Sequence, residues 1–431
     1  MHVTILGLWH LGSVTAACLA DAGHVVTGFD PDASAVARLS TGAAPIAEPG
    51  LAALIASGLQ SRRLTFTSDL SRAVDASDIV WVCFDTPVDD EDRADVDAVI
   101  GQVEAAFAAL RSDTVVLVSS QLPVGSVHRL EKTWSTQANG RRVTFACSPE
   151  NLRLGKAIAV FTHPDRVIVG VRDEWTKTRV SALLQPITDR IEWMSVESAE
   201  MTKHAINGFL ATSVTFINEI ATLCEAVGAD AKEVERGLKT EQRIGPGAYL
   251  APGGAIAGGT LARDVMFLRG IGDSAHRPTP LLDGLVASNA AHRAWAQQRL
   301  VAEIGRLDGA TVAVWGLTYK PGTDTLRRSG AVELCRWLLS QHARVRVHDP
   351  AVRALPPELG AAEQCRDPIE AASGASALVI ATEWPEYRDV AADALATRMP
   401  RGVILDANRF LAKTLGQDAR FRLVAVGQPH A

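Results

Sequence analysis

The sequence predicts an α/β protein in which two doubly wound parallel-sheet domains are joined by a central domain of long helices. Three observations carry this. Short apolar strands alternate with helical stretches up to about residue 196, strand patterning stops between about Glu197 and Leu300, and the alternation resumes at Ala310. The expected domains are therefore residues 1–196, 197–303 and 304–431, since a chain of this length exceeds what one ordinary core holds.

The first part opens with strand Val3–Leu6, a glycine-containing turn, an alanine-rich helix, Gly23 and strand Val25–Phe29 closed by an acid. That is a βαβ opening. Strands Ile79–Cys83, Val115–Ser119, Val143–Ala146 and Arg166–Gly170 follow, separated by helical stretches, which predicts a parallel sheet. Helical periodicity then fills Ala199–Val227 and Pro280–Leu300, and a long helix of this kind suits a homodimer interface. The second α/β part uses Thr311–Leu317, Arg344–Asp349, Ala377–Thr382 and Gly402–Asp406 as strands.

Composition narrows the function. Hydrophobic residues make up 47% and charged residues 21% of the chain, the balance of a protein that buries large cores. The net charge is -6, and lysine and arginine occur singly or in pairs. This argues against a nucleic-acid partner, which needs a concentrated basic face. Apolar runs fall short of the roughly 20 residues that cross a bilayer, and Met1–Leu8 enters a strand directly, so the expectation is a cytoplasmic protein with no membrane partner. Cys18, Cys83, Cys147, Cys224, Cys335 and Cys365 form no Cys-x-x-Cys pair. They read as small buried hydrophobes, and no metal site is expected.

The first βα turn reads Gly7-Leu8-Trp9-His10-Leu11-Gly12, and Asp30 closes the second strand. In a Rossmann-like fold the glycines allow a tight turn, close approach of a pyrophosphate and helix packing, while the acid binds ribose hydroxyls. Trp9 stands at the middle glycine's place, where it either crowds the pyrophosphate or turns aside. Asp30 favours NAD over NADP because a carboxylate repels a 2′-phosphate.

Further strings run the length of the chain: Pro45–Leu51, Thr86-Pro87 with Ala94-Asp95, Pro123-Val124-Gly125, Ser148–Arg153, Pro164-Asp165-Arg166 and Lys203–Asn207. Beyond these come Arg243-Ile244-Gly245, Lys320–Asp324 with Arg327 and Ser329, and Glu383-Trp384-Pro385. In order and spacing the chain resembles the UDP-glucose/GDP-mannose dehydrogenase family. The resemblance implies NAD as cofactor and a nucleotide sugar, UDP- or GDP-linked, as substrate, oxidised twice at C6 through a cysteine thiohemiacetal.

Carried over by position, the resemblance makes Lys203 and Asn207 the oxyanion-stabilising pair, one helical turn apart. Asp264 becomes the acid that positions water, and Glu150 a carboxylate for proton transfer or hydrolysis. The substrate set is Glu150, Asn151, Leu152, Arg153, Lys203, Asn207, Arg243, Gly258 and Lys320, with Arg327 among the sugar-site cations. The cofactor set is Gly7, Trp9, His10, Leu11, Gly12, Asp30 and Thr86, to which Arg327 also contributes.

Two positions depart from the family pattern. The segment Pro252–Asp264 aligns with the family's nucleophile loop without a gap, and places Thr260 where the family has its cysteine. A threonine hydroxyl hardly ionises and is crowded by its β-methyl, whereas a thiol ionises near neutrality. Gln121, in Ser119-Ser120-Gln121, replaces a small hydroxyl near the catalytic water. Lys203, Asn207, Glu150 and Asp264 remain. The expected reaction is a single two-electron oxidation of a UDP-hexose alcohol. The alternatives are four-electron oxidation through a hydrated aldehyde, or nucleotide-sugar binding without turnover.

Overall fold

The computed structural model describes residues 1–46, 48–89, 93–399 and 401–429. Ala47, inside the Pro45–Leu51 string, lies outside the described residues. Contacts group the chain into two compact units, Met1–Ile206 and Asn207–Ala431.

The first unit is built on an eight-stranded sheet. Its strands are β1 (His2–Leu6), β2 (Val25–Phe29), β3 (Leu64–Thr67), β4 (Ile79–Val82), β5 (Thr114–Val118), β6 (Val143–Cys147), β7 (Val167–Gly170) and β8 (Ile191–Met194). They lie in the order β3-β2-β1-β4-β5-β6-β7-β8. The order reverses beside β1, which opens a crevice at the carboxyl ends of β1 and β4.

Central strands such as β5, Thr-Val-Val-Leu-Val, are buried along their whole length. Alternate residues feed two cores: Ile79, Trp81, Val115 and Leu117 join one, and Val80, Val82, Val116 and Val118 the other. A sheet covered on both faces therefore reads as continuous apolar runs.

This sheet is not parallel throughout, as the sequence had suggested. β7 pairs antiparallel with β6 through Cys147 and Gly170, and β8 runs parallel with β7. A parallel neighbour needs a crossover that carries the chain back to the end of the sheet where the strands begin. The connection after β6 holds the Ser148–Arg153 loop and the six-residue helix Ala157–Thr162, and β7 comes back antiparallel, meeting β6 only at the last residue of each strand. Strands β3 and β8, short and at the edges, were not anticipated.

In the second unit six parallel strands form another sheet: β9 (Thr311–Trp315), β10 (Arg344–His348), β11 (Glu363–Gln364), β12 (Ala377–Ile380), β13 (Val403–Leu405) and β14 (Arg422–Val424). Their order is β11-β10-β9-β12-β13-β14. The helices Ala231–Thr240, Thr260–Ser274, Pro280–Arg293 and Trp295–Ile304 precede it.

The 32-residue helix Val196–Val227 runs across the boundary between the units. By length and composition it is apolar enough to cross a membrane, contrary to the expectation that nothing would qualify. Scattered isoleucines, leucines, valines, phenylalanines and alanines keep its mean hydropathy high although no apolar run in it is long. Its polar residues Glu200, His204 and Asn207 are nevertheless buried with protein partners, as in a helix built into protein cores. All six cysteines are free and buried.

Candidate active site

Gly7 follows β1 with φ +90°, and a Cβ there would stand 2.7 Å from Phe84. At Gly12 a Cβ would stand 1.7 Å from the Gly7 carbonyl oxygen. These two glycines are required by close approach, and the turn they form fits a dinucleotide. Trp9 needs no such freedom. It precedes the helix His10–Asp21 with φ -72°, and its side chain is 49% exposed. Of the two outcomes open in the sequence, the ring turns to solvent.

Asp30, at the end of β2, accepts the Leu8 N–H through one carboxylate oxygen and the Asp32 N–H through the other, both at 2.9 Å. The acid is thereby bent toward the turn. Leu11 packs against the core, and His10 Nε2 lies 3.1 Å from Glu48 Oε2. Thr86, after β4, donates to the Gln121 carbonyl at 2.7 Å and so ties together the loops following β4 and β5.

Beside these loops a small hollow is lined by Ser119, Ser120, Gln121, Glu150, Glu200 and Lys203, among others. Lys203 Nζ donates to the Glu150 carbonyl at 2.5 Å, and the Glu150 carboxylate accepts the Leu152 N–H at 2.7 Å. Asn151 and Arg153 are exposed and Leu152 is half-buried. Ser119 accepts from Trp81 Nε1 at 2.7 Å and donates to the Ser148 carbonyl, which fixes the floor. Glu200, 5% exposed, accepts Gly125 and Val127 N–H groups at 2.7 and 3.0 Å. Burial pushes its carboxyl above the usual range despite these bonds.

In the second unit Asn207 donates to Asp264 through its side-chain amide. Asp264 is fully buried and Asn207 nearly so, so the acid's visible task is to orient the amide. The glycine-rich loop before the Thr260–Ser274 helix is held by side chains on both flanks. Asn218 accepts from Gly253 N–H at 3.0 Å and donates to the Gly254 carbonyl at 3.2 Å. Asn289 bonds both polar groups of Ile256, at 2.8 and 2.9 Å, and Asn408 accepts from Gly254 N–H at 2.8 Å.

His292 Nε2 lies 2.8 Å from the Gly253 carbonyl, and burial holds its pKa below the ordinary value, favouring a neutral ring that donates. Tyr319 donates to the Gly258 carbonyl at 3.2 Å. Thr260 is the first residue of its helix and is exposed. Arg243 lies on the surface with Glu241 at 2.9 Å, and Lys320 and Arg327 are exposed.

The structure thus gathers Gln121, Glu150 and Lys203 in one unit, and Asn207 with Asp264 in the other. Sequence reasoning missed Glu48, Glu200, Asn218, Asn289, His292, Tyr319 and Asn408. For Glu48 a signal existed, an acid inside a matching string. The three asparagines give none, because their partners lie 33 to 154 residues away. Among the described residues no group of three His, Cys, Asp or Glu side chains could hold a metal ion.

The glycine turn, Thr86, Gln121 and Glu150 all stand at the carboxyl ends of strands in one doubly wound sheet. That is where such a fold holds a dinucleotide beside reacting groups, and the class this defines is a dinucleotide-dependent oxidoreductase. Three family models match the chain: the NAD binding domain of the UDP-glucose/GDP-mannose dehydrogenase family over residues 1–188, its central domain over 197–291 and its UDP binding domain over 313–413. The chain belongs to the UDP-glucose/GDP-mannose dehydrogenase family. Its cofactor is NAD, and its ligand class is a nucleotide sugar.

A UDP-glucose 6-dehydrogenase of Rhizobium meliloti (strain 1021) is 36% identical over 437 residues, covering 100% of both chains. One from Pseudomonas aeruginosa is 33% identical, covering 100% of this chain and 98% of the relative. The solved UDP-glucose dehydrogenase of Pyrobaculum islandicum is 30% identical with a TM-score of 0.86, covering 96% of this chain and 95% of that one.

Proposed function

We propose that the protein oxidises a UDP-hexose alcohol to the carbonyl in one two-electron step and stops there. NAD, held at the Gly7–Gly12 turn and Asp30, would supply the acceptor for the hydride that leaves the alcohol carbon. The hydroxyl proton passes to the Glu150 carboxylate or through it to water. Lys203 and Asn207 donate to the oxygen as negative charge develops on it. Glu150, Asn151, Leu152 and Arg153 with Arg243, Gly258, Lys320 and Arg327 bind the sugar nucleotide.

The observation that carries the single-step reading is Thr260. It opens the helix Thr260–Ser274 at the place where the resemblance puts a thiol, and a threonine hydroxyl ionises far less readily than a thiol to attack an aldehyde. The UDP-linked substrate is supported by the match of residues 313–413 to a UDP binding domain and by the relatives' names.

The test is the NADH formed per UDP-glucose, with aldehyde and carboxylate followed by mass spectrometry. One equivalent is expected from the wild type. Thr260→Cys, alone or with Gln121→Thr, should restore carboxylate, since a thiol at a helix N-terminus is acidified. Two equivalents from the wild type would refute the single step and favour the hydrate route. No NADH from any nucleotide sugar would leave a binding protein.

A homodimer and a cytoplasmic setting complete the reading. Phe209, Phe216 and Leu223 recur every seven residues along the Val196–Val227 helix, and with Val227 are 47–78% exposed. Such an apolar stripe suits a second copy of the chain. Light scattering should give twice the chain mass, and a single-chain mass at micromolar concentration would refute the dimer.

A further inference from the structure

Glu48 lies in the first unit, between the second and third strands of its sheet, and no step above uses it. Its side chain is 1% exposed. A carboxylate buried to this degree is costly unless its oxygens are bonded, and Glu48 is bonded from two directions. Oε1 accepts the Ala157 N–H at 2.9 Å, and Oε2 accepts the Gly155 N–H at 2.7 Å. From the other side His10 Nε2 reaches Oε2 at 3.1 Å. Burial alone would raise its pKa, but these donors outweigh it and hold the carboxyl below the ordinary range.

The two directions matter. His10 is the first residue of the helix that follows the dinucleotide turn, and a helix N-terminus of this kind faces the cofactor's pyrophosphate. Gly155 and Ala157 terminate the loop carrying Glu150, Asn151, Leu152 and Arg153. Gly155 takes φ +86°, a left-handed turn that glycine adopts without strain, and its N–H is held in place by Glu48. One carboxylate thus joins the cofactor turn to a loop more than 100 residues away.

We propose that Glu48 is a positioning residue that couples occupancy of the NAD turn, through His10, to the order of the Glu150–Gly155 loop and hence to nucleotide-sugar affinity. An anion brought to the His10 helix end strengthens the ring as a donor to Glu48 and so tightens the charge-assisted pair. Glu48 then grips the two loop N–H groups in a fixed place. The coupling is reciprocal, so sugar binding tightens NAD binding by the same factor. The inference rests on the reading that this loop binds the sugar.

Calorimetric titration of the whole protein with UDP-glucose, with and without saturating NADH, measures the coupling. NADH should raise wild-type UDP-glucose affinity roughly fivefold or more, within the usual range for coupled sites. His10→Leu leaves both backbone bonds to Glu48 in place and should reduce the ratio to below about twofold. His10→Gln, which keeps a donor, should retain most of it, a rescue that a merely structural role would not produce. Glu48→Gln should lose the coupling too, with folding checked by thermal melting. A wild-type ratio near one, or an undiminished ratio in His10→Leu, overturns the proposal alone. A wild type that binds NADH but no UDP- or GDP-sugar overturns the functional reading, and the proposal with it.

Discussion

Gly7 and Gly316 hold the same place in the two sheets. Each follows the first strand of its unit, with φ of +90° and +89°. Each donates its N–H to the carbonyl ending the neighbouring strand, Gly7 to Phe29 at 2.9 Å and Gly316 to His348 at 2.8 Å. In both units an acid comes next, Asp30 and Asp349, but the two acids differ in what surrounds them.

Asp30 is half-buried and holds two backbone N–H groups, one on each oxygen. Asp349 is 6% exposed. One of its oxygens takes the N–H groups of Leu317 and Thr318, the Thr318 hydroxyl and the indole N–H of Trp384, at 2.7 to 3.1 Å. The other takes the Ala351 N–H at 2.8 Å. The turn is the same in backbone, yet only the first leaves its acid with capacity for a ribose. Close packing of a tryptophan has turned the second acid into a structural hub. A dinucleotide turn is therefore identified by the reach of its acid as much as by its glycines.

The comparison can be broken or sharpened by mutation. The largest effect is expected at Lys203, which lines the hollow at the carboxyl end of the first sheet. Lys203→Ala should lower turnover by roughly a hundredfold or more, the usual cost of one oxyanion donor, with melting temperature little changed. A near-normal rate in steady-state assays would show that the chemistry is not organised around the first sheet as described.

Next come the two acids, which should respond in opposite ways. Asp349→Ala strips partners from a half-buried indole and several N–H groups and should cost about 2 kcal/mol of stability, while NAD affinity stays within about twofold. Asp30→Ala should weaken NAD by about tenfold, a charged hydrogen-bond pair's worth, and narrow the preference over NADP. Denaturant titration and calorimetry measure both.

Acid dependence adds a finer discriminator. Burial opposes the charge on Asp349, but the N–H groups of Leu317, Thr318 and Ala351 with Trp384 prevail and hold its pKa below 3.8. A depressed folded pKa gives stability that is complete above the unfolded value and lost as pH falls through the folded one. Asp349→Asn should therefore flatten the decline in stability below about pH 4. An unchanged acid limb would assign that decline to other carboxylates.

The sequence by itself determined the family, the glycine turn with Asp30, and nearly every central strand, because these are written in local periodicity or in strings of adjacent residues. It also brought Lys203, Asn207, Glu150 and Asp264 to notice through the same strings. Other features were decided only by the tertiary structure. The reversal of β7, the outward turn of Trp9, the two-sided grip of Glu48 and the enclosure of Asp349 by Trp384 each depend on groups distant in the chain. A carboxylate's burial and its donors are set by which segments fold against it. Glu48 meets Gly155 across 107 residues and Asp349 meets Trp384 across 35, distances over which no periodicity carries information. Asp30 and Asp349 read alike as acids closing a second strand, and packing alone left one beside an open turn and sealed the other.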